Sequence, residues 1–255
     1  MLKYVIRLIS ASSNAGKTSL GAKLVSYLVG KGYDVGVIKH CAHDVELEVK
    51  DTLRYLEAGA KLVVASSKKL LIIYNQLAVD DVRYVLRYVD KPIVIIEGFK
   101  SQPIGDAIAI VHNIDEFNSV TSMAEVSAVL SDDIEVASVA SSKGIMVFKA
   151  NEVERLCGWV ESRALESIIN LLPRSDCGAC GYTSCATFAY AYLKREANEC
   201  PVISQVKLLV NDVAIPLNPF TKRLLSSLIN GLLNSLKDVP QRREKIIIEI
   251  TSSPL

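Results

Sequence analysis

The sequence predicts an α/β chain: a doubly wound, mostly parallel sheet with helices on both faces, followed by a small α+β module holding four cysteines. Three observations carry this reading. Continuous apolar runs alternate with amphipathic helical stretches through the first two thirds of the chain, the pattern of a parallel sheet covered on both sides. "ASSNAGKTS" at 11–19 lies between one such run and one such helix, the context that a phosphate-binding loop requires, so the sheet is of the P-loop NTPase type. "DCGACGYTSC" at 176–185 and Cys200-Pro201 beyond it read as a metal or iron–sulphur module.

The elements follow in order. "KYVIRLIS" (3–10) is a β-rich run ending in small residues, and the next stretch repeats Leu20, Leu24, Tyr27 and Leu28 at helical spacing until Gly30 and Gly32. "YDVGVIK" predicts a second strand, and "KDTLRYLEAGA" a short helix closed by Gly59. "KLVVAS" and "LLIIYN" are β-like, "VDDVRYVLRYVD" is helical, and "KPIVIIEG" is a buried strand entered through Pro92. "DAIAIVH", "VSAVLS", "IEVASVA" and "GIMVFK" all read as β-like, ahead of a helix from about Asn151 to Leu172. Pro173 marks the expected boundary, dividing the chain into 1–170, a four-cysteine segment 171–203, and an extension 204–255. "SCATFAYAYLKREAN" reads as helical, "QVKLLVNDVAIPL" as a hairpin around Asn211-Asp212, and "KIIIEI" as a last strand. A helix from Pro219 to about Lys237 carries Phe220, Leu224, Leu225, Leu228, Leu232 and Leu236 on one stripe; core packing is the expected use of it, with a dimer or partner surface as the alternative.

Bulk properties narrow the partners. The 255 residues are half hydrophobic and carry a formal net charge of +1. That is enough chain for one sizeable core, and the balanced charge does not argue for nucleic acid or a membrane surface. The apolar start is too short for a signal peptide, and no apolar stretch reaches the ~20 residues that span a bilayer. A cytoplasmic protein is expected. Six cysteines do not suggest a disulfide framework here: four cluster within 24 residues, while Cys41 and Cys157 stand alone and read as small apolar residues.

In the phosphate loop, backbone N–H groups and the helix N-terminus surround a phosphate. Gly16 permits close approach, Lys17 neutralises charge, and the Thr18 hydroxyl completes a magnesium shell. Ala11 replaces the first glycine of the pattern, which is tolerable only if that residue does not need positive φ. Glu97 ends a strand at the edge where ligands bind in such sheets; it could hold Mg²⁺ through water, orient an attacking water, or simply face solvent. His40, His43 and Asp44 also follow a strand, and contacts to phosphate, base or metal compete there with a plain loop. No Asn-Lys-x-Asp guanine signature is present, so these residues specify a nucleoside triphosphate without its base.

Taken together, "NAGKTSL", "VIKHCAHD", "KDTLRYLEAGA" and "IIEGFK" resemble the molybdopterin-guanine dinucleotide biosynthesis protein B family, MobB, over about residues 3–165. The resemblance implies a dimeric, GTP-binding protein with weak hydrolysis that assists the guanylyltransferase joining GMP to molybdopterin, or acts on the cofactor's way into molybdenum or tungsten enzymes. It further implies that Ser12, Ser13, Asn14, Ala15, Gly16, Lys17, Thr18 and Ser19 bind phosphates. Lys39, His40, His43 and Asp44 would line the site, Asp51 would sit beside it, and Lys17 and Glu97 would serve the slow hydrolysis, with Thr18 and Glu97 at Mg²⁺. Bound molybdopterin is part of the same implication. Two positions depart from the family pattern: Asp106 stands near a usual lysine, and Ala42 replaces a histidine.

Cys177, Cys180, Cys185 and Cys200 are spaced x2, x4 and x14, with glycine after each of the first two and proline after the last. Four thiolates suit a [4Fe–4S] cluster or a structural zinc; adjacent glycines favour the cluster, because backbone must wrap it closely. The segment also resembles the small iron–sulphur domain of RnfB-type electron-transfer subunits and corrinoid iron–sulphur proteins. The leading expectation is therefore a GTP-binding accessory factor for molybdenum-cofactor guanylylation or delivery. The alternatives are a small-molecule kinase, with Arg83 and Arg87 as its nearest lid arginines, and a nucleotide-gated iron–sulphur carrier.

Overall fold

The computed structural model describes residues 2–41, 50–76, 79–198, 200–204, 206–211, 213–237, 239 and 246–248. β1 (Tyr4–Ser10) passes through the phosphate loop into α1 (Lys17–Gly30) and β2 (Val35–Lys39). α2 (Lys50–Glu57), β3 (Leu62–Ser66), β4 (Leu71–Asn75) and the single turn α3 (Val82–Val85) lead to β5 (Ile93–Glu97). Then come β6 (Asp106–Ile110), α4 (Ile114–Met123), β7 (Ala128–Leu130), α5 (Ile134–Ser142), β8 (Met146–Phe148) and α6 (Val153–Leu171). The tail contributes α7 (Cys185–Leu193), α8 (Pro201–Ser204), the hairpin β9 (Leu208–Val210) and β10 (Val213–Ile215), and α9 (Pro219–Ser235).

The main sheet runs β2-β5-β1-β6-β7-β8 with every pair parallel. Period-two alternation along β1 explains the layers. Tyr4, Ile6 and Leu8 face Leu20, Leu24 and Leu28 of α1 and Leu156, Val160, Ala164 and Ile168 of α6. Ile9 faces the other way, toward Phe117 and Val120 of α4 and Val136 and Ala140 of α5. The chain winds outward in both directions from the β1 neighbourhood, so the crevice beside β1 at the C-terminal edge is where a ligand is expected. Among the described residues β3 and β4 pair only with each other, antiparallel. Among the described residues no helix is long and apolar enough to cross a membrane.

Three expectations are corrected. "IEVASVA" is helix, not strand: the Asp133 carboxylate accepts from the Val136 amide at 2.9 Å and caps α5, and Val136 and Ala140, four apart, go inward while Ile134 stays 87% exposed. Capping and one-sided burial outweigh the β-branched propensity of Ile and Val. The α9 stripe is not core, since Phe220, Leu224, Leu228, Leu232 and Leu236 are all exposed; amphipathic spacing shows that a face is apolar, not what covers it. "KIIIEI" forms no strand at Ile246–Ile248, and its remaining residues lie outside the described ones.

Asp106, the departure noted near a usual lysine, is a fastener at the N-terminal end of β6. Its carboxylate accepts from Arg163 Nε and Nη2 (both 3.0 Å), Tyr4 Oη (3.0 Å) and Ser127 Oγ (2.9 Å). Burial works to raise its pKa, but the hydrogen bonds from Arg163, Ser127 and Tyr4 outweigh that and hold it below the ordinary carboxylate value. A depressed folded-state pKa gives stability that is present above the unfolded-state pKa and lost as pH falls through the folded value. Thermal melts of the unaltered protein are therefore expected to lose stability below about pH 4. Asp106→Ala should cost roughly 3 kcal/mol at neutral pH and flatten that acid limb. An unchanged limb would assign acid sensitivity elsewhere.

The cysteine segment is built onto the sheet. Phe188, Ala189, Tyr192 and Leu193 of α7 share one core cluster with α1, α6 and β1. Tyr192 Oη donates to the Leu2 carbonyl (3.1 Å), the Asp34 amide to the Leu193 carbonyl (3.0 Å), and Arg195 to Asp34 (3.0 Å) and Asp90 (2.9 Å). Asp34 immediately precedes β2 and Asp90 lies three residues before β5 begins, so this module rests on the N-terminal edge of the sheet.

Candidate functional site

The loop between β1 and α1 turns on two left-handed residues. Asn14 takes φ 64° and Gly16 φ 88°, while Ala11 is not among the positive-φ residues; the condition under which alanine is tolerated there is met. Ser10 Oγ donates to the Ser12 carbonyl and accepts from Lys17 Nζ at 2.6 Å. Lys17 Nζ also donates to the Ser12 carbonyl (3.1 Å). The lysine is thus folded along the loop, with its head beside the space where α1 presents its N-terminal amides. Burial and the neighbouring Lys100 ammonium lower the Lys17 pKa, against an opposing pull from Glu97.

Thr18 Oγ1 lies 2.9 and 3.0 Å from the two oxygens of Glu97 and donates to them. A loop hydroxyl and a strand-end carboxylate in contact form a hard oxygen pair beside the phosphate position, a donor set that suits Mg²⁺. His40 follows Lys39 off β2; its Nε2 is 3.0 Å from Asp80 Oδ1, and its ring lies 4.3 Å from that of Phe99. These groups enclose a cavity of about 730 Å³ lined by Ser12, Ser13, Asn14, Gly16, Lys17, Thr18, Ser19, Lys39, His40 and Glu97, within the size range of small-molecule sites. Ala15 is buried beneath the loop. His43 and Asp44 lie outside the described residues; Asp51 falls on α2, with its side chain outside them too.

Sequence reasoning missed part of this wall: Asp80, Phe99, Lys100 and Gln102 also line it. Behind it stands Arg7, only 2% exposed, which donates to the carbonyls of Phe99 (3.3 Å), Lys100 (3.1 Å) and Ile104 (2.9 Å). An arginine inside the apolar run "YVIRLIS" was the available signal, because a buried guanidinium must be aimed at fixed acceptors. Asp80 gave no such signal. It arrives by the path of the loop before α3.

At the other edge, Cys177, Cys180, Cys185 and Cys200 line one small cavity together with Leu172, Pro173 and Phe188. Cys200 is buried, Cys180 and Cys185 are partly so, and Cys177 is exposed. Gly178 (φ 68°) and Gly181 (φ 84°) let the backbone turn between the first three. The Asp176 carboxylate accepts from the Cys185 amide at 2.7 Å, closing the loop on the start of α7. Hydrogen bonds from the Ala179 amide and the Ser175 hydroxyl lower the Cys177 thiol pKa, favouring the thiolate that a soft metal needs. Among the described residues no three His, Cys, Asp or Glu are arranged to hold a single metal ion; the cavity, about 10 Å³, is water-sized, and it is the four-thiol chemistry of its lining that suits a cluster bound by four thiolates.

Comparison with known proteins agrees with both halves. A family model described as "Molybdopterin guanine dinucleotide synthesis protein B" matches residues 5–132, just over half the chain, and one described as "Putative Fe-S cluster" matches residues 172–202. A Methanocaldococcus jannaschii protein named "Putative molybdopterin-guanine dinucleotide biosynthesis adapter protein" is 28% identical over 247 residues, 95% of each chain. The Haemophilus influenzae molybdopterin-guanine dinucleotide biosynthesis adapter protein is 32% identical over 38% of this chain and 57% of its own. A crystal structure of molybdopterin-guanine biosynthesis protein B (mobB) is 25% identical and covers 63% of this chain and 98% of that one at TM-score 0.51. Bacillus subtilis MobB, 21% identical over 63% of this chain and 97% of that one at TM-score 0.50, shares the fold. With phosphate loop, strand order and four-cysteine tail all in place, the chain belongs to the MobB family and carries a C-terminal domain of the iron–sulphur type.

Proposed function

We propose that this chain is a GTP-binding accessory protein of molybdenum or tungsten cofactor biosynthesis, assisting the formation of molybdopterin guanine dinucleotide or its delivery to target enzymes. The observation that carries the reading is the contact between Thr18 and Glu97 beside Lys17, inside one cavity at the C-terminal edge of the sheet. The adapter relative that spans 95% of both chains directs that chemistry to this pathway. The loop amides and Lys17 would bind the β-phosphate. Thr18 and Glu97 would hold Mg²⁺, whose charge offsets that of the phosphates. The four cysteines would hold a [4Fe–4S] cluster. The exposed apolar residues of the isolated β3–β4 hairpin, Leu62, Val64, Leu71 and Ile73, support a homodimer; molybdopterin, the guanylyltransferase and the apo-enzymes are the further partners.

Hydrolysis would be weak, because the arginines that could assist it are engaged elsewhere. Arg83 Nη2 donates to the Pro103 carbonyl at 3.2 Å, and Arg87 lies over the Tyr84 ring. A transferred phosphoryl gains rate mainly from added positive charge, so their placement also speaks against the kinase. The test is anaerobic purification with metal analysis, then calorimetric titration of GTP and ATP with Mg²⁺, with and without molybdopterin. About four irons per chain and a GTP preference are expected. Equal binding of ATP and GTP would overturn the guanine assignment and reopen the kinase, and zinc in place of iron would reduce the tail to a structural module.

A further inference from the structure

The wall that follows β5 is built at some expense. Gly98 takes φ 104°, and a Cβ there would lie 2.7 Å from that of His40. Phe99, next in line, adopts φ 50°, a left-handed conformation that a bulky side chain rarely takes. Its ring is buried and packs on His40. Arg7 then fixes the carbonyls of Phe99, Lys100 and Ile104 from below, with its guanidinium out of water. Strain and a buried cation spent on one short turn are the mark of a segment that must present something in a set place. What the turn presents to the cavity is Lys100.

Lys100 Nζ donates to the carbonyl of Ala11 at 3.0 Å, the residue that opens the phosphate loop. It stands close enough to Lys17 for each ammonium to oppose the other's charge. The carboxylates lining the cavity are already engaged: Glu97 with Thr18, and Asp80 with His40. Among the described residues three lysines, Lys17, Lys39 and Lys100, line this cavity, and ammonium groups gathered at one cavity are poised for an anion. Lys17 stands at the start of α1, where the lysine of such loops reaches β- and γ-oxygens together. Lys100 comes three residues after Glu97 and reaches the opening residue of the loop from the β5 side of the cavity, opposite α1.

We propose that Lys100 is the residue that reads the terminal phosphate: on triphosphate binding its ammonium leaves the Ala11 carbonyl and donates to the γ-phosphate oxygens, so the site separates nucleoside triphosphate from diphosphate. This rests on the nucleotide reading above and adds to it a means of sensing the state of the nucleotide. The Ala11 carbonyl bond makes the diphosphate form cheap to maintain, because the lysine keeps a partner when no γ-phosphate is present.

The test uses the full chain, calorimetric titration with Mg²⁺, GDP, and a non-hydrolysable imido analogue of GTP. Lys100→Gln is expected to weaken the triphosphate analogue about 10- to 100-fold and to leave GDP within about two-fold, with an unchanged thermal melt. Lys100→Arg should recover most of the loss. An equal loss for both nucleotides, or no loss for either, overturns the assignment to Lys100 while leaving nucleotide binding intact. If the unaltered protein binds neither nucleotide, the nucleotide reading itself fails, and this inference with it.

Discussion

Lys17→Ala is expected to lower affinity for a nucleoside triphosphate by about 100-fold or more while changing the melting temperature little. The asymmetry follows from where the ammonium spends its hydrogen bonds. It donates to Ser10 Oγ and the Ser12 carbonyl, at a loop whose Ser12, Ser13 and Asn14 are exposed. Water can replace it at those acceptors, so little folding free energy is lost. A bound phosphate offers no such exchange. Removing one ammonium from between charged oxygens forfeits charge-assisted bonds worth about 1.5–3 kcal/mol each, and two of them give the 100-fold figure. Calorimetric titration measures the affinity, and a thermal melt on the same samples measures the fold. Unchanged affinity would move the phosphates away from this loop; a large drop in melting temperature would make Lys17 a structural residue.

This effect contrasts with that of Lys100, and the contrast shows what was legible in the sequence. Lys17 was readable because the loop chemistry is local: strand, glycine, lysine and threonine are contiguous, and backbone geometry does the rest. For Glu97 the strand tip left several uses open, and the structure adds only its contact with Thr18. Lys100 was visible in "IIEGFK" as part of a family motif, but its direction depends on Arg7, ninety-three positions earlier in the chain. Side-chain contacts of that separation leave no periodic trace.

The sheet itself was almost wholly readable. Each of its strands is an apolar run, and the alternation with helices dictates parallel pairing. The errors share one cause: apolar pattern was asked to settle what only tertiary context decides. Along "IEVASVA" the β-branched residues suggested a strand, yet Asp133 as a cap and Val136 and Ala140 at four-residue spacing select a helix. The cap was written in the sequence and was outweighed by propensity. For α9 the helix was foreseen and its environment was not. Beyond Pro173 the chain stays packed on the sheet, with α7 joining the core of α1 and α6.

That shared core sets the second large effect. Cys200→Ser is expected to strip the tail of most of its iron and to lower the melting temperature of the whole chain, not of a detached segment. Cys200 is only 6% exposed and sits in the same cluster as Phe188, Tyr192, Leu24 and Leu156. Replacing its sulfur removes one of four thiolates and also places a hydroxyl among apolar groups, a burial cost of about 1–3 kcal/mol before any cluster is considered. Metal binding that needs the folded ligand set adds its free energy to folding, so losing the cluster removes that contribution as well. Cys157→Ser separates the two costs. Its thiol is buried in the same cluster, on α6, with its pKa raised by burial, so it should show the packing loss and retain about four irons. Cys177→Ser supplies the opposite case, because Cys177 is exposed: iron should fall with little packing loss. Iron analysis and visible absorption on anaerobically purified protein, beside thermal melts, read both quantities. Full iron in the Cys200 variant would remove that residue from the ligand set. If iron falls but the melting temperature does not, the cluster contributes nothing to the fold, and its role must be sought at the exposed Cys177 face.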